Sequence, residues 1–500
     1  MSQALVTVNA GVLLPVLAPA VGAAVVLVTD IAAQRLRRAH YLIAMASLVV
    51  GAVATFAGLG MVSGAVRQTL CLPGGGQCMY AADAVASALQ LAALLDAGVT
   101  LLLSWPNDKK QASGGTAVIV SLVLAATAGA TAVAGARDLG SWLVALELAT
   151  LPTVALVALR GARSAISGAV ALLTAALVSF GLLALAAALW FTATTSGFLT
   201  PAAAQTVIAD PSQRPILVLA VALVVAGIGF KLSLVPFHAW TPEAYDGAPL
   251  PIAAFLAGVS KIAALAALLV VIRAIAPLGA PALTSIAIVS AASMTLGNIM
   301  ALRQDGVVRL LAWSTVAQAG WVILPLATVS SGAVFASGFY LLAYVLATLL
   351  AFAVVATLVQ TRGAARARDL TSYRGLVHEH PVLAAALGLA LLSLAGLPPG
   401  VLGLVAKVVA LGPVVNSELW LLAVIAAVNA VLGVAVYLRW LRAIIASPDA
   451  KPVAGPDGAA QVRVRAVRAH PATLVAVGFA AVALVLTSLS PQLILGLLGP

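Results

Sequence analysis

From about Asn9 onward the chain is a succession of continuous apolar runs, most of them roughly twenty residues long, divided by short stretches that hold nearly all of its charge. A run of that length matches the hydrocarbon layer of a bilayer. Inside that layer every backbone amide and carbonyl must find its partner within the protein, which leaves helices or closed barrels. The runs do not alternate residue by residue as barrel strands do, so they read as helices. Charged residues make up 8% of the chain, against roughly 25% in soluble domains. The opening "MSQALVTVNAG" has no basic stretch ahead of the first run, so that run reads as a retained helix and not a cleaved signal.

The runs give about fourteen spans, over residues 9–29, 41–63, 81–104, 115–135, 139–159, 166–196, 215–237, 249–272, 281–301, 309–328, 332–360, 381–411, 418–446 and 471–497. The fold class is therefore an all-α polytopic membrane protein. Basic residues gather after odd-numbered spans, from Arg35, Lys109 and Lys110 through Arg366 to Lys451, Arg463, Arg465 and Arg468. Loops after even-numbered spans hold only Arg67, Arg137, Arg214 and Arg273. This asymmetry puts the basic loops in the cytoplasm and both termini outside. It also explains the net charge of +11 without nucleic acid as a partner; the lipid bilayer is the partner the composition demands. Cys71 and Cys78, in "CLPGGGQC" of an outer loop, are a candidate disulfide, with free thiols the alternative.

Four charged residues stand out inside spans, away from their ends: Glu147, Lys231, Lys261 and Lys407, with Asp96 a candidate fifth. Each costs about 2.5–3.5 kcal/mol on insertion scales, so a chain that merely filled the membrane would avoid them. Lys231 lies about 9 Å from the cytoplasmic end of its span at 1.5 Å per residue, near enough to snorkel. Glu147 and Lys261 are too central for that, and a structural ion pair is their plainer reading. The chain has twenty arginines and six lysines, yet half of the lysines stand well inside spans while the arginines keep to loops and the ends of spans. A lysine removed from water can release its proton and an arginine cannot, so the choice of lysine is the one a proton relay requires. Pro236 follows Lys231 by five residues, and Pro398 and Pro399 precede Lys407, so spans seven and twelve are expected to break where they line a transport site.

These residues sit in familiar surroundings. "FKLSLVPFHAWTPEAYDGAPLPIAAFLAGVSK" (Phe230–Lys261) resembles the signature of the N subunits of proton-pumping NADH-quinone oxidoreductase, respiratory complex I, and "LELATLP", "GNIMALRQDGVVRLLAWSTVAQAGW" and "LLSLAGLPP" add to the likeness. The resemblance implies an antiporter-like membrane subunit with two inverted five-helix repeats: three N-terminal helices over 1–114, a first repeat over 115–275, a second over 276–447, and a basic cytoplasmic loop and last helix over 448–500. It implies a proton relay through Glu147, Lys231, Lys261 and Lys407. It implies no metal and no cofactor on this chain, with NADH, FMN, iron–sulfur clusters and quinone carried by partner subunits, and neighbouring antiporter-like and small membrane subunits as partners. His238, Glu243 and Asp246, at the cytoplasmic end of span seven, are candidates for proton uptake or for hydrating a loop. The chain departs from the family pattern at Glu243, where aspartate is usual, at Val308, where a lysine is usual, and at Gln318, where histidine is frequent. Rival readings are a cation/proton antiporter subunit of the Mrp type, a hydrogenase-linked pump, and a structural subunit whose charges only lock helices.

Overall fold

The computed structural model describes residues 6–32, 37–62, 64–73, 76–105, 115–276, 283–328, 330, 332–363, 367–447 and 469–499. Arg35, Lys109, Lys110, Arg366, the basic loop with Lys451, Arg463, Arg465 and Arg468, and the expected junctions at 114 and 448 lie outside the described residues. Helices follow one another as α1 (Ala10–Ala32), α2 (Arg37–Thr55), α3 (Ala84–Leu103), α4 (Gly115–Gly135), α5 (Leu139–Ala158), α6 (Arg163–Thr194) and α7 (Pro201–Ala209). Then come α8 (Arg214–Leu232), α9 (Trp240–Gly247), α10 (Leu250–Ala257), α11 (Val259–Ile275), α12 (Thr284–Leu302), α13 (Val307–Ile323) and α14 (Ala333–Arg362). The last are α15 (Leu376–Glu379), α16 (Pro381–Ala395), α17 (Val401–Asn416), α18 (Trp420–Ile445), α19 (Pro471–Leu489) and α20 (Gln492–Leu497).

Among the described residues, 13 segments are long and apolar enough to cross a membrane. The α16–α17 pair, each member too short alone, matches the remaining expected span at 381–411. Helix starts carry the capping chemistry that leaves their first amides satisfied: Asp83 accepts from Ala86 N at 2.8 Å ahead of α3, and Asp138 from Ser141 N at 2.9 Å ahead of α5. Three features differ from the sequence expectation. The span placed at 81–104 begins only at Ala84, because Cys78–Ala82 pairs with Arg67–Cys71 as a two-stranded antiparallel hairpin that the Cys71–Cys78 disulfide ties together. The ladder satisfies backbone groups that lie outside the helices. The short helix α7, begun by Thr200 and Pro201, was not foreseen. The eighth span is not continuous either, since Gly258 separates α10 from α11.

Burial sorts the helices. In their most apolar stretches of eighteen residues, α10–α11 and α14 have 89% of residues buried and α13 has all of them, while α1, α6, α18 and α19 have about one-third buried and turn apolar side chains outward. An apolar outer face is what lipid selects, so these helices carry no penalty for exposing Leu421, Val431 or Leu489. Around the buried row, α4 packs on α5 and α12 on α13, each through a glycine (Gly129 and Gly297) that lets the two backbones touch. Asp96 and Lys261 stand on the buried row of α3, α10–α11, α13 and α14, while Glu147, Lys231 and Lys407 come from α5, α8 and α17.

Candidate functional site

Span seven breaks as its prolines foretold. Helix α8 ends at Leu232, Ser233 takes the left-handed conformation (φ 68°), and a cis Val235–Pro236 bond follows before α9 begins. Stopping a helix in the protein interior frees its last carbonyls, and each needs a donor. Here Leu234 N reaches Gly229 O at 2.8 Å, Trp240 Nε1 reaches Phe230 O at 2.7 Å, and Lys261 Nζ reaches Lys231 O at 2.9 Å. Lys261 also donates to Ser233 Oγ at 2.6 Å, lies 4.8 Å from the Trp240 ring centre, and is 1% exposed. Its ammonium is thus aimed at the carbonyl end of a broken helix and at the face of an indole.

On the other side of the break, Lys231 Nζ donates to Glu147 Oε1 and to Thr150 Oγ1, each at 2.9 Å. Both acceptors are on α5, one turn apart on a single face. With its side chain 5% exposed, Lys231 does not snorkel; it forms an interhelical ion pair with a mostly buried glutamate. Three of the four expected relay groups therefore adjoin: Glu147 to Lys231 directly, and Lys261 to the backbone carbonyl of Lys231.

Lys407 stands apart from these three. Helix α16 ends at Ala395 with Gly396 left-handed (φ 77°), a cis Pro398–Pro399 bond follows, and α17 then carries Lys407. The Lys407 ammonium donates to Ala395 O and lies 5.7 Å from the Trp321 ring centre. At both breaks a lysine from a later helix covers a freed carbonyl beside a tryptophan, from α11 at the first and from α17, directly after the break, at the second.

Between the two breaks runs a set of side chains of which the sequence reading noted only Gln318. Tyr344 donates to Thr315 Oγ1 at 2.9 Å, and Tyr340 to Gln318 Oε1 at 2.6 Å. Gln318 Nε2 donates to the Tyr437 hydroxyl at 2.9 Å and to Leu394 O at 3.5 Å, while Ser314 shares a 2.6 Å bond with Tyr437. A cavity of about 10 Å³ lined by Gln318, Tyr340, Tyr344, Ser393 and Ala406 has the size of one water. The signal was present: Tyr340 and Tyr344 are four apart on α14, and Ser314, Thr315 and Gln318 share one stretch of α13, a helical spacing of polar groups inside apolar spans. Asp96, buried on α3 at 1% exposure, faces Gly258 at the interruption of the eighth span.

The candidate uptake residues lie elsewhere. Glu243 and Asp246 are taken up by arginines: Arg309 reaches Glu243 at 3.3 Å and Asp246 at 3.9 Å, and Arg368 reaches Asp246 at 3.0 Å. Burial and the neighbouring Arg160 hold the Arg368 guanidinium below its ordinary value, with Asp246 opposing them. His238 is half-buried, its ring 5.1 Å from Trp313. None of the three contacts the Glu147–Lys231 pair. Among the described residues no group of three or more His, Cys, Asp or Glu could hold a metal ion.

Residues 136–433 match the family described as "NADH:quinone oxidoreductase/Mrp antiporter, TM". NADH-quinone oxidoreductase subunit N of Salinispora tropica is 38% identical over 455 residues, covering 88% of this chain and 85% of that protein. The chain belongs to the subunit N family. Subunit N 2 of Streptomyces griseus, at 36% identity over 400 residues, covers 77% of the chain and 74% of its own length. Among solved structures, a chain of respiratory complex I from Thermus thermophilus with bound aureothin superposes with a TM-score of 0.77 at 30% identity, over 97% of this chain and 99% of that one. A chain of the Mrp complex from Dietzia superposes at 0.81 but with 21% identity over 98% and 96% of the two chains, which speaks to the shared antiporter-like fold alone. Subunit N membership makes this a proton-translocating membrane-arm subunit of NADH-quinone oxidoreductase.

Proposed function

We propose that protons cross this subunit through Glu147, Lys231, Lys261 and Lys407. The carrying observation is the hydrogen-bonded contact of Lys231 with Glu147 on one side and of Lys261 with the Lys231 carbonyl on the other, all within the buried interior. Two charges removed from water cost several kcal/mol each, and a pair is tolerable only while both members stay charged or both become neutral. A proton reaching Glu147 neutralises the carboxylate that compensates Lys231, so Lys231 releases its own proton, and Lys261, which lies against the Lys231 carbonyl, takes up a proton only after passing its own onward. From there the hydroxyls of Tyr344, Tyr340 and Tyr437 and the Gln318 amide mark a lateral way to the Ala395 carbonyl and Lys407. Gln318 cannot carry a proton of its own, so in this chain the stretch between the lysines relies on hydroxyls and on water in the adjoining cavity.

In this reading α4–α11 and α12–α18 are two inverted five-helix repeats, which the matching lysine-sealed breaks support. The basic loops face the cytoplasm and both termini lie outside. Protons enter from the cytoplasm in one half and leave through the other. The redox groups (NADH, FMN, iron–sulfur clusters and quinone) belong to partner subunits, and neighbouring antiporter-like and small membrane subunits flank this chain. Glu243 and Asp246 fasten α9 to the first turn of α13 through Arg309 and to the segment after α14 through Arg368, which suits an anchor better than a proton port. The test is proton uptake per electron in inverted membrane vesicles carrying Lys231→Ala, with assembly of the complex followed in parallel. Loss of pumping together with electron transfer in an assembled complex is expected; normal pumping would return Lys231 to a helix lock.

A further inference from the structure

A buried lysine that takes up and gives back a proton needs partners in both states. Charged, its ammonium has three donors and no acceptor; neutral, its amine has two donors and a lone pair that itself calls for a donor. For Lys231 the Glu147 carboxyl meets both needs, accepting while ionised and donating once it holds a proton. Thr150 accepts from the same lysine, but its own hydroxyl is committed to Leu146 O at 2.8 Å. Among the described residues Lys261 has no carboxylate within ion-pair distance; its partners are Lys231 O, the Trp240 ring face and Ser233 Oγ. A carbonyl and a ring face can only accept. Of the three, Ser233 alone can also donate, and it is 0% exposed, so water does not compete for it.

The surroundings of Ser233 leave its hydroxyl that choice. Ser233 Oγ accepts from Lys261 Nζ and from Thr241 Oγ1, each at 2.6 Å. When Lys261 gives up a proton, one lone pair of Ser233 is released and its O–H can turn onto Nζ while the Thr241 bond is kept. Serine also stands here at a backbone cost. Its φ is 68°, a conformation that glycine takes without a Cβ clash and that Gly396 takes, at 77°, at the second break. Glycine would make the turn more easily; what serine adds is the hydroxyl.

We infer that Ser233 is a positioning residue of the relay, its hydroxyl accepting from Lys261 while the lysine is charged and donating to it while it is neutral. Only the hydroxyl torsion changes: no bond of the serine breaks, and the proton that leaves Lys261 passes to the onward groups of the relay. Lys261 thereby spends time as a neutral amine in a dry interior with its lone pair satisfied and without a carboxylate of its own. Ser233 does for Lys261 what Glu147 does for Lys231, with a neutral group in place of a charged one. This inference rests on the relay reading above.

The test uses the whole complex in inverted vesicles, with Ser233→Gly, Ser233→Ala and Ser233→Cys beside Lys261→Met. Glycine suits the turn best and has no hydroxyl; alanine keeps the Cβ and has none either; cysteine keeps the Cβ and brings a thiol that donates and accepts weakly. A role in shaping the turn ranks glycine level with the parent or above it. A role for the hydroxyl ranks the parent first, cysteine next, and alanine and glycine last. Expected are assembled glycine and alanine variants whose pumping and coupled electron transfer have slowed by about ten-fold or more, the worth of one buried hydrogen bond. The cysteine variant should recover part of the rate; if it does not assemble, Ser233→Thr restores the hydroxyl itself and decides in its place. Normal rates in the glycine and alanine variants, while Lys261→Met has lost pumping, would overturn the role of Ser233 and leave the relay standing; normal pumping by Lys261→Met would overturn both. Failure of the glycine and alanine variants to assemble, or slow rates with no recovery in the assembled cysteine or threonine variant, would make Ser233 a packing residue and overturn the inference.

Discussion

Lys261→Met separates a relay from a helix lock, because the two roles predict opposite effects on stability. Methionine is unbranched and flexible like lysine, one atom shorter, and carries no charge. The substitution removes two charge-assisted hydrogen bonds, to Lys231 O and Ser233 Oγ, worth about 1.5–3 kcal/mol each, or about 3–6 kcal/mol together. It also removes an ammonium that is 1% exposed, and burying such an ion costs several kcal/mol even after relaxation. The two terms offset, so the net change should stay within about 2 kcal/mol. The Lys231 carbonyl is the residual cost, and its neighbours at the break are already satisfied by Leu234 N and Trp240 Nε1. Native gels of solubilised membranes should show an assembled complex at close to the parent amount. NADH oxidation and fluorescent-probe acidification of inverted vesicles should both fall to background. An assembled complex that pumps at the parent ratio of protons to electrons would refute the relay role. Failure to assemble would refute the cancellation, and would mean that the lysine works as a lock.

Other changes probe the neighbouring groups. Glu147→Gln keeps an acceptor for Lys231 Nζ, so the complex should assemble while pumping is lost, and Glu147→Asp should retain part of it; vesicle acidification measures both. Gln318→Leu removes the bridge between Tyr340 and Tyr437 and should slow pumping by about ten-fold or more, below what one positioned acid–base group contributes; Gln318→His, which restores a proton-carrying ring, should pump at least as well as the parent. Cys71→Ser with Cys78→Ser opens a loop of separation 7 and should cost about 2 kcal/mol of local stability at most; pumping should be unchanged and only thermal inactivation should come sooner. Arg368→Ala frees Asp246 and the Ala248 carbonyl at the exposed end of α9, so the expected effect is a modest loss of assembled complex, with the ratio of protons to electrons unaltered.

Much of this could be read from the chain alone. Twenty-residue apolar runs leave no choice but membrane-spanning helices, since lipid offers the backbone no hydrogen bonds, and the placement of arginine in alternate loops suggests how they are threaded. Glu147, Lys231, Lys261 and Lys407 stood out because a charge inside an apolar run is costly wherever the run ends up, and Pro236 and Pro399 marked the breaks because proline cannot continue a hydrogen-bonded turn. The hairpin at Cys71–Cys78 and the short helix α7 were less legible, since their form depends on local ladders and caps in loops where composition says little.

What sequence could not supply was which groups meet. Residues 84 apart, such as Glu147 and Lys231, are brought to 2.9 Å by the packing of α5 against its neighbours, and no periodicity encodes that distance. The same holds for the lysines that cover freed carbonyls, for the tyrosine and glutamine bridge between the two breaks, and for Asp96 fitting the space that Gly258 leaves empty. Sequence determined that the charges are buried, because the cost of taking an ion into lipid is a property of the residue and its surrounding run. Tertiary structure decided how each cost is offset, because hydrogen bonds and ion pairs act only over a few ångströms, and those contacts exist only once the helices have packed.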